Sequence, residues 1–401
     1  MKKKVDRALA VFLAGILAFL FLGTMILYGR NYAYGFFVSY KDKLPENPTL
    51  ADDIQARVDK LKSNVGSRLI ARTFMRESNA KMQMLLGKDI ISIGVNNMVK
   101  LRCGAYYGLF TGPYSLDEAG RLADFAQNTR EKYGIPTLFS YCHSSLYEDG
   151  QLPEGMDALD NNLECADALL ALFEERGIPV TDSRDAYARA GLTMDEAINK
   201  SDIHWTHRMA LETAFDAARK LNEAFGLNLP EDALAYENFN EDVYESLLLG
   251  EFGRRIGPGQ VTLDDIHALY PAYDTHILYE ELNTDVCREG AFKEAVIQEE
   301  NLARDPETGY SENAYYIYGH YLAQTHTVNE NGAPVKILVF KDSYGTPVSA
   351  FLGLAAKDVY AVDLRSTDLS MEEWVDNIRP DAVIFAYSQQ MLRKFDYVIA
   401  E

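Results

Sequence analysis

The chain has 401 residues, of which 47% are hydrophobic and 25% charged, and its 25 Tyr and 19 Phe are spread along the whole length. This composition excludes a disordered chain and supplies enough apolar material for one large domain or two ordinary ones. The formal net charge of −21 argues against a nucleic-acid partner, because a chain of this charge repels a phosphate backbone.

The N-terminus combines a basic segment with an uncharged one. Four Lys or Arg side chains lie within residues 1–7, and residues 8–27 carry no charge. About 20 apolar residues span a bilayer as a helix, and positive charge before the span predicts a cytoplasmic N-terminus and an exported remainder. A cleaved signal peptide is the alternative, but its apolar region is usually shorter and ends at a small-x-small site, for which there is no good match near Tyr28. We therefore predict that residues 1–30 form a cytoplasmic stub and a transmembrane signal-anchor, with a single-pass location at the cell membrane.

The four cysteines, Cys103, Cys142, Cys165 and Cys287, are scattered and form no Cys-x-x-Cys pair. This spacing indicates neither a zinc knuckle nor a thioredoxin-like motif. An exported location permits a disulfide, and the pairing stays open.

The exported part begins with a helical segment. Apolar side chains at Ile54, Val58, Leu61 and Val65 recur at three- and four-residue steps, which predicts a helical stalk or leading segment at residues 31–85. Apolar runs then alternate with amphipathic stretches, as expected of βαβ units. The predicted strands are 90–95, 137–141, 178–181, 335–340, 359–362 and 382–386, and the predicted helices are 116–133, 156–176, 207–225, 348–356 and 372–378.

Two glycines mark helix-to-strand corners in this alternation. Gly134 and Gly177 each precede an Ile-Pro pair, and Gly suits the C-terminal cap of a helix while Pro cannot continue it. Unbroken apolar strands suit a parallel sheet covered on both faces. We predict an α/β domain at residues 86–401 with a doubly wound parallel sheet. Residues 238–313 have no clear period and are interpreted as an irregular insertion.

Two short blocks carry the residues suited to chemistry. Asp202 and His204 lie in a loop before the predicted helix 207–225, where a surface or capping pair is the ordinary interpretation. Ser343 lies where an apolar strand ends and a helix starts, so its hydroxyl emerges at the carboxyl edge of the sheet, although Asp and Ser are also the preferred helix caps. The turn that follows offers N–H groups to an oxyanion.

Together the two blocks supply a nucleophile, a base and an orienting carboxylate. A serine needs a base to remove its proton, and His204 would accept the Ser343 proton while Asp202 holds the imidazole. The oxyanion donors would be the Ser343 N–H and a weaker candidate, Gly319. This chemistry requires no cofactor and no metal.

The paired blocks resemble the SGNH hydrolase superfamily, in particular its AlgX/AlgJ-like (alginate O-acetylation) branch and the DHHW protein family. In those proteins an Asp-x-His-Trp block precedes a Lys/Gly-Asp-Ser-Tyr block, which reverses the more usual order, and both blocks occur here in that order. The stretch 359–365 and the strand 382–387 resemble the strands that follow the serine in DHHW proteins. The chain departs from the pattern at Ile203, at Lys341 and in lacking a recognisable Asn block.

The resemblance implies an SGNH-like (flavodoxin-like) fold and an O-acetyltransferase or acetylesterase that acts on a cell-envelope or secreted polysaccharide. It also implies a possible multi-spanning membrane acyltransferase as partner, and it places Tyr344 and Arg365 at positions that contact substrate or pack. Two rival functions remain. One is a zinc site built from Asp202, His204 and His207, and the other is a non-catalytic glycan-binding or assembly protein with the same fold.

Overall fold

The structure is a computed structural model that describes residues 49–67, 72–93 and 96–392, together with positions 15, 22–26, 28–31, 33–34, 36–38 and 40–41. The chain divides into two compact units, residues 1–82 and residues 83–401. Within the described residues, no helix is both long and apolar enough to cross a membrane. The anchor predicted at residues 8–27 lies mostly outside the described positions and stays a prediction.

The elements are numbered here in chain order. The helices are α1 (Leu50–Ser67), α2 (Arg72–Leu85), α3 (Asp117–Tyr133), α4 (Asn162–Glu175), α5 (Ser183–Ala190), α6 (Met194–Ala197), α7 (His207–Phe225), α8 (Glu251–Ile256), α9 (Phe292–Val296), α10 (Gly345–Leu352), α11 (Met371–Ile378) and α12 (Gln389–Leu392). The strands are β1 (Ile90–Ile93), β2 (Asn96–Lys100), β3 (Tyr106–Gly108), β4 (Thr137–Tyr141), β5 (Val180–Asp182), β6 (Phe239–Leu248), β7 (Asp264–Pro271), β8 (Ile277–Glu281), β9 (Cys287–Gly290), β10 (Thr325–Asn329), β11 (Ala333–Lys341), β12 (Ala356–Val362) and β13 (Ala382–Tyr387).

In the first unit, Arg57 ties α1 to the segment before it. Its guanidinium donates to the Phe36 carbonyl at 3.0 Å and pairs with Asp53 at 2.7 Å. The same guanidinium lies over the Tyr40 ring, 3.9 Å from the ring centroid. A cation held by a carboxylate and an aromatic face stabilises this contact.

A mixed eight-stranded sheet forms the centre of the second unit, in the order β5-β4-β13-β11-β12-β10-β8-β9. The first five strands run parallel. The last three, β10, β8 and β9, are joined by antiparallel pairing. The prediction of an α/β fold with a parallel-rich sheet is therefore confirmed, and the antiparallel edge is an addition that the sequence did not predict.

The five parallel strands follow the flavodoxin-like order from a different starting point. If β11 is counted first, the chain continues through β12, β13, β4 and β5, and the spatial order becomes 2-1-3-4-5. The strand that carries the serine is then the first strand, and the loop with Asp202 and His204 follows the last. The reversed order of the two blocks is thus a circular permutation of a common topology.

Helices cover both faces of the parallel sheet. Ile337 and Val339 of β11 point into a core that includes α7 and α10, whereas Leu338 and Phe340 point into a core that includes α3, α4 and α11. This alternation follows from the two-residue period of a strand. Burial on both faces explains why β11 and β13 are almost continuously apolar.

Residues 238–313, interpreted from the sequence as an irregular insertion, contain regular structure. Strands β6 and β7 pair with each other, and β8 and β9 extend the main sheet through β10. The first eight residues of β6 are exposed or half-buried, and its last two are buried. Part of this segment therefore belongs to the central sheet, because cross-strand pairing joins residues that are distant in the chain.

Several predicted elements differ from the structure at their ends or partners. Of the strand predicted at 90–95, residues Ile90–Ile93 form β1, which pairs antiparallel with β2 in a separate sheet, β1-β2-β3, and so is not part of a βαβ unit. The helix predicted at 348–356 spans Gly345–Leu352, and Ala356 already begins β12. Both predicted corner glycines are confirmed, because Gly134 and Gly177 have a φ of 67°.

The buried ring of Phe340 tests the core that lies between the parallel sheet and the helices α3, α4 and α11. It is fully buried and lies within 6.3 Å of Phe125 and 5.7 Å of Phe385, centroid to centroid. We expect Phe340→Ala to lower the free energy of unfolding by about 3–5 kcal/mol, because it leaves a cavity between sheet and helices.

Denaturant unfolding measures this change. Leu159→Ala is the control, since that side chain is 48% exposed, and its substitution should cost less than about 1 kcal/mol. Equal costs for the two variants would contradict the assigned core.

Candidate active site

The turn after β11 carries Ser343 and is held by the preceding carboxylate. Asp342 is fully buried and accepts hydrogen bonds from the Tyr344 N–H (2.9 Å), the Ser388 N–H (2.8 Å) and the Ser388 hydroxyl (2.7 Å). Burial raises the pKa of Asp342 although these bonds lower it. Because Ser388 follows β13, Asp342 fastens the serine turn to the neighbouring strand. Ser343 itself is partly exposed.

A close approach between strands and helix requires glycine at the start of α10. A Cβ atom on Gly345 would lie 2.8 Å from the Lys341 Cβ and 2.9 Å from the Ala386 Cβ. Real Cβ atoms do not approach so closely, so a larger residue would push α10 away from the sheet. Gly345 thus allows α10 to start close against β11 and β13.

The loop that carries Asp202 and His204 is fastened by a second buried carboxylate. Asp264 of β7 accepts from the N–H groups of Lys200 (2.5 Å) and Ser201 (2.8 Å) and from the Ser201 hydroxyl (2.6 Å). Burial raises the pKa of Asp264 to about 6, against the opposing effect of these bonds. β7 lies in the segment interpreted as an insertion, so this contact could not be predicted from the sequence.

The structure brings Asp202, His204 and Ser343 into one hydrogen-bonded chain. The His204 Nδ1 lies 2.5 Å from Asp202 Oδ1, and the His204 Nε2 lies 2.8 Å from Ser343 Oγ. Asp202 also accepts from the N–H groups of His204 (3.0 Å) and Glu251 (2.7 Å). With Nδ1 donating to the carboxylate, Nε2 is the acceptor for the serine proton.

The Asp202 carboxylate and the His204 imidazole are both buried. Asp202 is 4% exposed and His204 is 2% exposed. Burial alone would raise the pKa of Asp202, but the adjacent His204 and the hydrogen bonds to the carboxylate hold that pKa below its usual value. Asp202 is therefore an ionised partner that orients the imidazole.

Aromatic side chains hold the imidazole in place. The Tyr315 ring stacks on His204 with centroids 4.1 Å apart and an interplanar angle of 12°. Tyr344 lies 4.8 Å from the same imidazole, and its hydroxyl donates to the Ile203 carbonyl. Tyr344 is thus a buried brace between the two blocks. Nothing in the sequence pattern pointed to Tyr315.

The other two residues predicted for the site, Gly319 and Arg365, lie outside the hydrogen-bonded series of Asp202, His204 and Ser343. Gly319 is buried, its N–H donates to the Tyr316 carbonyl at 3.3 Å, and a Cβ there would meet the Tyr279 hydroxyl at 2.9 Å. Its amide is already engaged, which corrects its assignment as a free oxyanion donor. Arg365 pairs with Asp363, with Nε 2.7 Å from Oδ1, and follows β12 at the same edge of the sheet as Ser343.

The geometry disfavours the zinc site. Both nitrogens of His204 are engaged by Asp202 and Ser343. His207 places Nε2 2.9 Å from the Tyr315 carbonyl and Nδ1 3.3 Å from the His267 carbonyl. These contacts leave the two imidazoles no shared point for a cation. Within the described part of the chain, no group of three or more His, Cys, Asp or Glu side chains is arranged to hold a metal ion.

Cys103, Cys142 and Cys287 form no disulfide, and Cys142 and Cys165 are buried. Burial raises the pKa of the Cys142 thiol well above its usual value. A thiol of this kind is poorly ionised and unreactive, so it packs as a small apolar residue.

Comparison with known proteins supports the fold. No family model and no curated protein matches the sequence. A DHHW family protein from Eubacterium siraeum DSM 15702 superposes with a TM-score of 0.57 at 15% identity, covering 78% of this chain and 99% of that chain. Bacillus cereus PatB1 superposes with a TM-score of 0.58 at 15% identity, covering 75% and 98%. The chain has the fold of these two proteins.

The resemblance found in the two sequence blocks is thus confirmed at the level of the fold. The O-acetyltransferase domain of Pseudomonas putida AlgJ is a more distant match, with a TM-score of 0.43 at 12% identity over 75% of this chain and 93% of that domain. We draw nothing further from that likeness.

The contact between Gly250 and Asp202 makes the orienting carboxylate sensitive to one methyl group. A Cβ on Gly250 would lie 2.2 Å from the Asp202 Cβ and 2.5 Å from its Oδ2. We expect Gly250→Ala to displace Asp202, lower the free energy of unfolding by about 1–3 kcal/mol and weaken the bond to His204.

Thermal unfolding and the downfield proton signal of His204 Nδ1–H measure the two effects. Gly120→Ala in α3 is the control, since the nearest atom to its added Cβ is the Arg176 Nη2 at 3.9 Å. A Gly250→Ala protein with unchanged stability and an unchanged proton signal would show that the contact is not tight.

The stability of the fold should depend on pH through the buried His207. Burial lowers the pKa of His207 from 6.5 to about 4. Below about pH 6.5 the unfolded chain therefore binds a proton that the folded chain does not, and the free energy of unfolding falls as the pH falls towards 4. This residue alone should contribute a slope of about 1.4 kcal/mol per pH unit.

His207→Gln removes that slope while keeping a donor for the Tyr315 carbonyl. Denaturant unfolding between about pH 4.5 and 6.5 compares the variant with the unchanged chain. Parallel pH profiles for the two proteins would mean that folded His207 binds a proton in this range.

Proposed function

We propose that this protein is an extracytoplasmic, membrane-anchored SGNH-type acyltransferase or ester hydrolase that acts on a cell-envelope or secreted polysaccharide. The observation that carries the proposal is the chain of hydrogen bonds from Asp202 through His204 to Ser343, with spacings of 2.5 and 2.8 Å. A nucleophile, a base and an orienting carboxylate in this arrangement are the requirements of serine acyl transfer.

The first half of the reaction forms an acyl-enzyme. Ser343 Oγ bonds to the acyl carbon of a donor ester while its proton passes to His204 Nε2. The intermediate collapses by cleaving the bond to the leaving oxygen, which takes the proton from His204. Asp202 stabilises the imidazolium between these two transfers. The Ser343 N–H, in the turn that Asp342 fastens, is the donor available to the oxyanion.

The second half transfers the acyl group. An acceptor hydroxyl gives its proton to His204, its oxygen attacks the acyl carbon, and Ser343 leaves and regains a proton from His204. A glycan acceptor gives a transferase, and water gives an esterase. The preference for acetyl and for a glycan acceptor rests on the sequence resemblance to AlgX/AlgJ-like and DHHW proteins. The same resemblance supports a multi-spanning membrane acyltransferase as the source of the acyl group.

The membrane location rests on the N-terminal sequence. Residues 8–27 are uncharged and follow a basic segment, as expected of a signal-anchor. Residue Ser343 would then lie outside the cytoplasm, where it meets envelope polysaccharides. The chain's net charge of −21 argues against a nucleic-acid partner.

Substitution of the three residues tests the mechanism. We expect Ser343→Ala and His204→Ala each to lower the turnover of p-nitrophenyl acetate about a thousandfold or more, and Asp202→Asn to lower it about a hundredfold or more. Ser349→Ala is the matched control, because that hydroxyl lies on α10 and donates to the Thr346 carbonyl at 2.8 Å. Rates that do not change in the first three variants would refute the proposed nucleophile and base.

The direction of acyl transfer is settled by following the acetyl group. The protein is incubated with an acetyl donor and candidate polysaccharides, and mass spectrometry records whether the glycan gains or loses acetyl groups. We expect a gain that requires Ser343. Loss of acetyl groups from an acetylated glycan would identify an esterase. Glycan binding without either change would support the non-catalytic alternative.

A further inference from the structure

Three aromatic side chains form a partly exposed surface beside His204. We call Tyr316, His320 and Tyr321 the aromatic platform. The Tyr316 ring lies 5.9 Å from the His204 imidazole and 5.3 Å from the Tyr321 ring, centroid to centroid. The His320 ring lies 5.9 Å from Tyr316 and 4.3 Å from Tyr321. The three rings are therefore contiguous and reach the proposed base.

The segment that carries the platform is anchored by two buried tyrosines, Tyr315 and Tyr318. Tyr315 and Tyr318 are each 2% exposed, and the Tyr318 hydroxyl donates to the Leu269 carbonyl and accepts from its N–H, both at 2.7 Å. Tyr316 and Tyr321 are half-buried and His320 is exposed. Buried tyrosines thus anchor the segment, while the three side chains of the platform each keep part of their surface exposed to solvent.

The platform is joined to the serine block as well as to His204. The Tyr321 carbonyl accepts from Lys341 Nζ at 2.8 Å, and Lys341 lies two residues before Ser343. The Arg365 guanidinium lies over the Tyr321 ring, 5.4 Å from its centroid. The platform therefore extends along the carboxyl edge of the sheet from His204 to the residues that follow β12, next to the serine hydroxyl.

The charges around the platform are balanced by partners within the protein. Arg365 pairs with Asp363, and Arg254 pairs with Glu312 at 3.3 Å. Lys341 is buried, and its ammonium group donates a hydrogen bond to the Tyr321 carbonyl. Partial shielding from water by the neighbouring residues lowers the pKa of the solvent-exposed His320, which favours the neutral imidazole. A carboxylate on the ligand would meet paired cations and a chain with a net charge of −21, whereas a neutral ring needs no counter-charge.

We propose that the aromatic platform is the acceptor subsite for a neutral pyranose, not a uronate, of the glycan substrate. The apolar face of a pyranose lies on the aromatic rings, whose negative faces attract its C–H groups. A sugar stacked on Tyr316 and Tyr321 has a hydroxyl group within reach of Ser343 and His204. This inference deepens the proposed function and rests on it for the role of that hydroxyl.

The test measures glycan binding without requiring turnover. The full chain carrying Ser343→Ala is titrated with cellohexaose, chitohexaose, mannohexaose and the galacturonic acid hexamer, and binding is followed by saturation-transfer NMR. We expect at least one neutral hexamer to bind, with an affinity that is independent of salt. Tyr316→Ala and Tyr321→Ala should weaken that binding about tenfold, since each removes a ring face.

Conservative variants separate stacking from misfolding. Tyr316→Phe and Tyr321→Phe keep the ring and should keep the affinity. Tyr273→Ala is the control, because that tyrosine is 38% exposed in the connection between β7 and β8. Preferential binding of the galacturonic acid hexamer, binding unaffected by both alanine variants, or no binding of any neutral hexamer would each overturn the subsite. Turnover of p-nitrophenyl acetate by the unchanged chain tests the proposed function separately.

Discussion

The hydrogen bond between Ser343 Oγ and His204 Nε2, 2.8 Å long, joins two loops that lie 139 residues apart in the chain. Three further contacts at this edge of the sheet hold the two loops at that distance. Asp342 fastens the serine turn to the residue after β13, and Asp264 fastens the histidine loop to β7. The Tyr344 hydroxyl then binds the Ile203 carbonyl and connects the two loops directly. A site fixed from both sides in this way is preorganised for proton transfer.

Three buried carboxylates stand close to this site, and their hydrogen-bond partners distinguish their roles. Asp264 and Asp342 each accept three hydrogen bonds from backbone N–H groups and serine hydroxyls. These two carboxylates therefore hold loops in place. Asp202 alone contacts an imidazole. The same residue type thus fastens loops at two positions and orients a base at the third, and the partners decide which.

The parallel strands could be predicted from the sequence because burial on both faces leaves continuous apolar runs, as in β11 and β13. α7, Asp202, His204 and Ser343 could be predicted because a periodic helix and two short blocks identify them locally. The antiparallel strands β8 to β10 and the Asp264 contact could not, since they depend on pairing between distant segments. Gly319 and Tyr344 show the same limit, because a sequence position does not reveal whether an amide is engaged or a ring is buried.

The central claim is that His204 activates Ser343 as a nucleophile, and covalent labelling tests it most directly. The full chain is treated with a fluorophosphonate, and peptide mapping by mass spectrometry locates the adduct. The geometry predicts a single adduct on Ser343 that forms much more slowly in His204→Ala. An adduct on another residue, no adduct on a folded chain, or equal labelling of His204→Ala would contradict the claim.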